Sequence, residues 1–403
     1  MYSIKYVFSQ ITSFLDRSKF NRLVAKYNGD SYVKSFTCWN QLLVLMFGQL
    51  CQRKSLRDLS MAIGAHRDKL YHLGFGKSVT LSNLSKANNS RDYRIFEDYA
   101  YFMVAQAQKK LNADVFKLGG KVYAFDSTTI DLCLSVYEWA KFRRTKAGIK
   151  VHTLFDLETH IPEFFHITSA NVHDSKAMDK IDYQKDAFYV FDRGYNDFYQ
   201  LNNINSLGSY FVVRGKQNLN YRVIRWKRRM KKNILSDSIV KLDGYMSSRK
   251  YPNAFRRIVY YDEEQDREFT FLTNALSLEA QQVADLYKSR WQIELFFKWM
   301  KQHLNIQRFW GTTENAVRIQ IYSAIITYCL AAIIHHDMKL KCSVYEMLQV
   351  LSMSLIDNSN IRDLLDPPND NIVNELDGSS EPNLFNYPQI RNRPHKMAQR
   401  SKR

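Results

Sequence analysis

Apolar positions recur along this chain with two different periods, and the switch between them divides it. Up to about residue 115 the spacing is helical. Residues 36–51 carry apolar side chains at the interval of a buried helix face, Ser55 stands where an N-cap would open a second helix over 56–63, and an aromatic-rich helix is predicted over 91–111. Gly74 and Gly76 punctuate the stretch before residues 80–88. After Gly119 and Gly120 the apolar runs become short and strand-like. Strands are predicted at 122–125, ending in Asp126, at 149–155 and 161–168 across a tight Leu-Glu-Thr-His turn, and at 188–191, ending in Asp192. A helix over 198–205 and a strand over 210–213 follow. Antiparallel strands first, then strands alternating with helices, predict an α/β layered domain.

The alternation breaks between 216 and about 270. That stretch is rich in Lys, Arg and Tyr, holds the cluster Arg225-Trp226-Lys227-Arg228-Arg229, and has short strand patterns at 239–242, 257–261 and 269–272. It reads as a β-rich insertion. A long helix over 277–304 and a buried helix over 316–335 come next. The expected organisation is therefore an all-α N-terminal unit (1–115), an α/β unit with its insertion (116–345), and a polar, basic, poorly ordered tail (346–403) bearing Pro367-Pro368. The longest apolar run, 319–334, includes Gln320, Tyr322, Ser323 and Thr327 and falls short of the ~20 residues of a membrane span, so it reads as a core helix. Asp16, Arg17 and Lys19 interrupt the apolar stretch near the start, against a secretory leader. The five cysteines are scattered, without metal-knuckle or redox spacing. A cytoplasmic protein with reduced thiols is expected, with no membrane partner.

Charge changes the picture more than length does. Among 403 residues, 45% are hydrophobic, enough for a large core, but the net charge of +18 calls for a polyanionic partner, and nucleic acid is the commonest. The short N-terminal helices, with Gly-bearing turns and scattered Lys and Arg, fit either a helix-turn-helix-like DNA-binding module or an ordinary helical subdomain.

Candidate chemistry lies on carboxylates. Asp126 and Asp192 each close an apolar strand, where a carboxylate is either a turn residue or a group facing the crevice in which α/β sheets bind ligands. On the 277–304 helix, Tyr287, Arg290, Glu294 and Lys301 fall within one narrow stripe at ~100° per residue, with Lys298 at its edge. Ile293, Phe296, Trp299 and Met300 fall opposite and suit packing on a sheet. Such a stripe is either a solvated salt-bridged face or a carboxylate set among phosphate-binding cations. The three acids together are a set that holds hard cations through oxygen, as metal-assisted phosphodiester chemistry requires. His173-Asp174 either lies near such ions or has a turn or hydrogen-bonding role.

The run Phe271-Leu272-Thr273-Asn274, followed by the residues from Leu286 to Gln302, closely resembles the signature of the DDE transposases of the insertion-sequence-four family. Its Tyr-x2-Arg-x3-Glu-x6-Lys pattern is matched by Tyr287, Arg290, Glu294 and Lys301, its first aspartate context by Asp126-Ser127-Thr128, and its second by Asp192-Arg193-Gly194-Tyr195. The resemblance covers about 120–335. It implies an RNase H-like catalytic core interrupted by the β-rich insertion, with Asp126, Asp192 and Glu294 as catalytic metal ligands. It implies two Mg²⁺ ions (Mn²⁺ substituting) and double-stranded DNA partners, the element's terminal repeats and the target, held by a homodimer. The implied reaction is cut-and-paste transposition: cleavage at the element ends, then 3′-hydroxyl strand transfer into target DNA. Tyr287, Arg290, Lys298 and Lys301 would hold the DNA strand, Arg193, Arg225, Arg228 and Arg229 its phosphates, and Trp226 would stack on an unstacked base. Two other functions remain at this point: an RNase H-like nuclease that cuts without rejoining, and a binding-only regulator, which has no need of all three acids.

Overall fold

A computed structural model describes residues 5–76, 79–111, 115–227, 232–304, 306 and 308–365. The N-terminal part is helical throughout: α1 (Val7–Thr12), α2 (Arg17–Lys26), α3 (Cys38–Leu50), α4 (Leu56–Gly64), α5 (Leu81–Ser90) and α6 (Arg94–Leu111). Capping chemistry sets several starts. Thr37 and Asn40 form a reciprocal capping box at α3, while the Ser55 and Thr80 hydroxyls accept the amides of Asp58 and Asn83 at α4 and α5.

The sheet strands are β1 (Val122–Leu132), β2 (Lys141–Arg143), β3 (Lys146–Asp156), β4 (Pro162–Ser169), β5 (Phe188–Phe191) and β6 (Tyr210–Arg214), with α7 (Asp174–Ala177) and α8 (Phe198–Ser206) between them. β1, β3 and β4 form an antiparallel meander, and β5 and β6 add in parallel on the other side of β1. Gly120 makes the parallel pairing possible. A Cβ there would lie 2.0 Å from the carbonyl oxygen of Asp186, so only glycine lets β1 start alongside β5. β1 does not end at Asp126 as the apolar run predicted. Its parallel pairing stops at Phe125, but Asp126 to Leu132 continue antiparallel to β3, because the polar Ser127 to Thr129 segment is supported by one neighbour.

The insertion contributes β7 (Tyr221–Trp226), β8 (Ile234–Leu242), α9 (Tyr245–Lys250), β9 (Phe255–Asp262) and β10 (Arg267–Thr273). It is not a separate sheet. β10 pairs with β6, giving the continuous order β2-β3-β1-β5-β6-β10-β9-β8-β7, with β4 on β3. One buried ion pair sits inside it: Arg256 donates to both carboxylate oxygens of Asp237 at 2.8 and 2.6 Å, and to the carbonyl of Leu278 on the way to the next helix.

Beyond it lie α10 (Ala280–Ser289), α11 (Trp291–His303), α12 (Glu314–Met338), α13 (Val344–Ser354) and α14 (Ile361–Leu365). The single helix expected over 277–304 is two. Arg290 N–H donates to Tyr287 and Ile293 N–H to Arg290, a tightened turn that ends α10 and starts α11. α10 then packs on β5 and β6, and α11 on β1. α12 is longer than the apolar run implied, 25 residues, and by length and composition it passes for a membrane span; yet 94% of its most apolar window is buried inside the protein, against α3, α5 and α6 among others. One hydrophobic core therefore runs from the N-terminal helices through α12 to one face of the sheet. A second, smaller core fills the opposite face beneath α7 and α8. Within residues 346–365, expected as the start of the tail, 346–354 lie in α13 and 361–365 in α14. The apolar side chains Met347, Leu348, Leu351, Leu355 and Ile361 are buried, and α14 packs on α1. Residues 366–403 lie outside the described residues.

Replacing Arg256 with Met leaves the Asp237 charge buried without its partner. The expected loss is about 3–5 kcal/mol in denaturant unfolding, largely recovered in the Arg256→Met/Asp237→Leu double variant. A single variant as stable as the parent contradicts this account.

Candidate active site at the carboxyl ends of the parallel strands

The register of the parallel strands brings the two aspartates together. Phe125 is opposite Phe191, so one step further along places Asp126 beside Asp192; on the next strand Phe191 is opposite Val213, which places Asp192 beside Arg214. Neighbouring strands lie about 4.8 Å apart, so these three side chains form one row. Alternation puts that row on the face of Val122, Ala124, Phe188 and Val190, which is the face that α10 and α11 cover.

From above, the α10–α11 turn reaches into the row. Tyr287 donates its hydroxyl to Asp192 at 2.8 Å. Arg290 donates to Asp126 at 2.8 Å with one nitrogen and to Glu294 with the other, bridging two of the three acids. Lys301, about two turns beyond Glu294 on α11, donates to the carbonyl of Thr129 on β1 at 3.1 Å, and partial burial lowers its pKa. The predicted stripe of Tyr287, Arg290, Glu294 and Lys301 thus faces the sheet's carboxyl edge despite the break at Arg290. Lys298 is exposed on α11, and Ile293, Phe296, Trp299 and Met300 are buried on the other side.

Electrostatics follow from this crowding. Burial pushes the Asp126 carboxyl up to about 6; Arg290 and the Ser127 amide oppose the shift, while the charges of Asp192 and Glu294 add to it. Asp192 goes the other way. Burial would raise it, but the Arg193 amide, the Tyr287 hydroxyl, Arg290 and Arg214 together hold it below the usual carboxylate range. Burial raises the Tyr287 phenol to about 12, keeping it a donor. Among the described residues no three His, Cys, Asp or Glu side chains stand close enough to hold a metal ion as they are placed; Asp126 and Glu294 converge on the Arg290 guanidinium instead.

Other predicted residues are further off. Trp226 is exposed at the end of β7, five strands from β5 in the sheet order, and Arg225 is exposed beside it. Arg228 and Arg229 lie outside the described residues. Arg193 follows Asp192 directly, with its Nε buried and unbonded. His173 caps α7, accepting the Ser175 amide, and lines a cleft of about 250 Å³ with Asn196, Lys216 and Lys250; it does not meet the carboxylates. One group escaped the sequence reading. Arg214 stands over the Phe269 ring at 4.9 Å with its charge toward Asp192 and Tyr287; its signal was a lone arginine closing the apolar run 210–213. Asp174, noted with His173 in the sequence, takes a hydrogen-bonding role: it accepts from Ser127 Oγ at 2.7 Å and from Lys150 at 3.0 Å, directly behind Asp126. The adjoining His152 is fully buried, which lowers its pKa to about 4 and keeps it neutral.

Comparison with known proteins shows the family. A family model described as a transposase DDE domain matches residues 117–330, and one described as a domain of unknown function (DUF4372) matches residues 3–76. A putative transposase of Sinorhizobium fredii is 31% identical over 291 residues, 71% of this chain and 80% of the relative. A probable transposase for insertion sequence element IS5377 of Geobacillus stearothermophilus is 25% identical, over 77% of this chain and 80% of its own length. A putative transposase for insertion sequence element IS4SA of Synechocystis sp. is 28% identical, over 63% and 72%. With an α/β, RNase H-like core and a family match spanning more than half of its length, the chain belongs to the DDE transposases, enzymes that cleave DNA and transfer the cut strand.

Proposed function

We propose that Asp126, Asp192 and Glu294 are the catalytic acids of this transposase and hold two Mg²⁺ ions, with Mn²⁺ able to replace them. The observation that carries this reading is the strand register, which sets Asp126 and Asp192 side by side at one sheet edge under the α10–α11 turn that carries Glu294. The donor set fits the ions. All three groups offer hard oxygen ligands, and the convergence of Asp126 and Glu294 on one guanidinium marks the place where a cation is accommodated between them. When bound, the ions activate the attacking oxygen and stabilise the leaving one.

The protein's own side chains do the rest. Arg290, held between two acids, is the cation best placed to exchange a carboxylate for a DNA phosphate, and its planar fork suits both. Tyr287 orients Asp192, and Arg193, Lys298 and Lys301 add positive charge along the path of the strand. Farther out, Arg225, Arg228 and Arg229 would meet backbone phosphates. The solvent-facing indole of Trp226 would stack on an unpaired base of the element end. The substrates are the terminal repeats of the protein's own insertion sequence and a target duplex, bound by two copies of the protein, and the excess of positive charge suits a partner of that size.

Glu294→Gln should abolish cleavage of end-containing duplex, a loss on the order of 10³-fold or more, with binding to the same duplex in gel shift changed by about twofold at most. Equal loss of both removes Glu294 from the chemistry. Excess EDTA should stop strand cleavage and added Mg²⁺ restore it; activity that persists in chelator rules the metal mechanism out. Trp226→Ala should weaken affinity for end DNA by about 5- to 150-fold, the value of one stacked base. Unchanged affinity takes Trp226 out of the interface.

A further inference from the structure

Strand register fixes where the Asp126 backbone lies, but not how its carboxylate turns, and catalytic metal ligands need that orientation set to about 10–20°. The structure holds Asp126 from both sides of the sheet. On the covered face Arg290 donates to Oδ2. Oδ1 is approached from the other direction, by the Ser127 amide at 2.8 Å and, more loosely, by the Tyr195 hydroxyl at 3.4 Å. Tyr195 also faces the Ser127 side chain, and its ring is wedged against Phe125 at 5.3 Å in the smaller core. Ser127 is thus the hub, its amide toward Asp126 and its hydroxyl toward Asp174.

Asp174 reaches Ser127 from a different segment altogether, at the start of α7 after the meander. It accepts the Ser127 hydroxyl proton at 2.7 Å and is gripped by Lys150 of β3, whose ammonium at 3.0 Å also donates to the carbonyl of Val172. Lys150 stands opposite Thr129, and His152 opposite Ser127, in the β1–β3 register, so the grip comes from the strand that backs Asp126. A turn-forming aspartate at a helix start would bond the helix's own amides. This one bonds a serine and a lysine on two other strands.

We propose that Asp174 is a positioning residue for Asp126, acting through Ser127 to set the orientation of the first catalytic carboxylate and hence its affinity for divalent metal. The proposal rests on Asp126 being a metal ligand. Asp174 does not touch the ions or the DNA. Its role is to anchor the Ser127 side chain, and with it the Ser127 amide that holds Oδ1 beside the Tyr195 hydroxyl.

The test uses the full-length protein and Mn²⁺. Asp174→Asn, Ser127→Ala, their double variant, Asp174→Glu and Asp126→Asn are compared for Mn²⁺ binding by electron paramagnetic resonance, for the Mn²⁺ concentration giving half-maximal end cleavage, for melting temperature and for end-DNA affinity. Asp174→Asn and Ser127→Ala should each raise the half-saturating Mn²⁺ about 10- to 100-fold, the usual effect of removing an outer partner of a metal ligand. The double variant should be no worse than either single one, because both cut the same link. Asp174→Glu should recover part of the loss, with DNA affinity and melting temperature near the parent values. Unchanged Mn²⁺ dependence, multiplicative losses in the double variant, or a loss that tracks melting temperature overturns the proposal. If Asp174→Asn does not fold, Ser127→Ala decides by the same criteria. Should Asp126→Asn abolish cleavage while both single variants match the parent, only the positioning role falls; should Asp126→Asn itself cleave and bind Mn²⁺ normally, the catalytic reading falls and the positioning role with it.

Discussion

Acidic side chains cannot be collected at one sheet edge unless something offsets their repulsion. Two carboxylates about 5 Å apart repel by roughly 3 kcal/mol at an effective dielectric near 20, and a third adds to that. In this protein the offset comes chiefly from Arg290, bonded to Asp126 and Glu294 at once, with Arg214 and the Arg193 amide serving Asp192. The different titration of the two aspartates records how unequally that compensation is shared. Asp126, more deeply buried, stays raised in spite of its arginine, while Asp192 gathers enough donors to be lowered. This carboxylate edge is therefore a charge balance first, and whatever enters it has to take over part of the work of Arg290.

Other features serve to put that arginine in place. Gly120 admits the close approach from which the β1–β5 register follows, and that register alone makes Asp126 and Asp192 neighbours. The tightened turn at Arg290 lets α10 follow β5 and β6 while α11 crosses to β1, so Tyr287 reaches one aspartate and Arg290 the other. The insertion is no detour between β6 and α10: β10 covers the free edge of β6, and Arg256 ties the insertion to Leu278 just ahead of α10. It anchors α10, the helix whose Tyr287 reaches Asp192.

Much of this was legible in the chain, for identifiable reasons. β5 matched its apolar run residue for residue, since a strand buried on both faces shows as an unbroken hydrophobic stretch bounded by polar residues. The stripe of Tyr287, Arg290, Glu294 and Lys301 could be read because a one-residue break barely disturbs helical phase; the same fact hid the break. The second half of β1 was missed because Ser127, Thr128 and Thr129 look like a turn when only one edge of a strand needs support. β7 escaped because an edge strand with exposed Arg222, Ile224 and Trp226 lacks clean alternation. α13 was lost to the average polarity of a tail that its own leucines contradict locally. The link from Asp174 to Ser127 joins residues 47 positions apart, and no local pattern reports such a pairing.

The burial of α12 has a bearing on how the molecule is made. A helix of 25 residues that is apolar nearly all round is a hazard whenever it is bare, open to bilayers and to aggregation alike. Its main cover, α3, α5 and α6, is encoded upstream of it. Synthesis from the N-terminus therefore delivers the sheath before the rod, and the stickiest segment of the polypeptide leaves the ribosome with its binding partners already present.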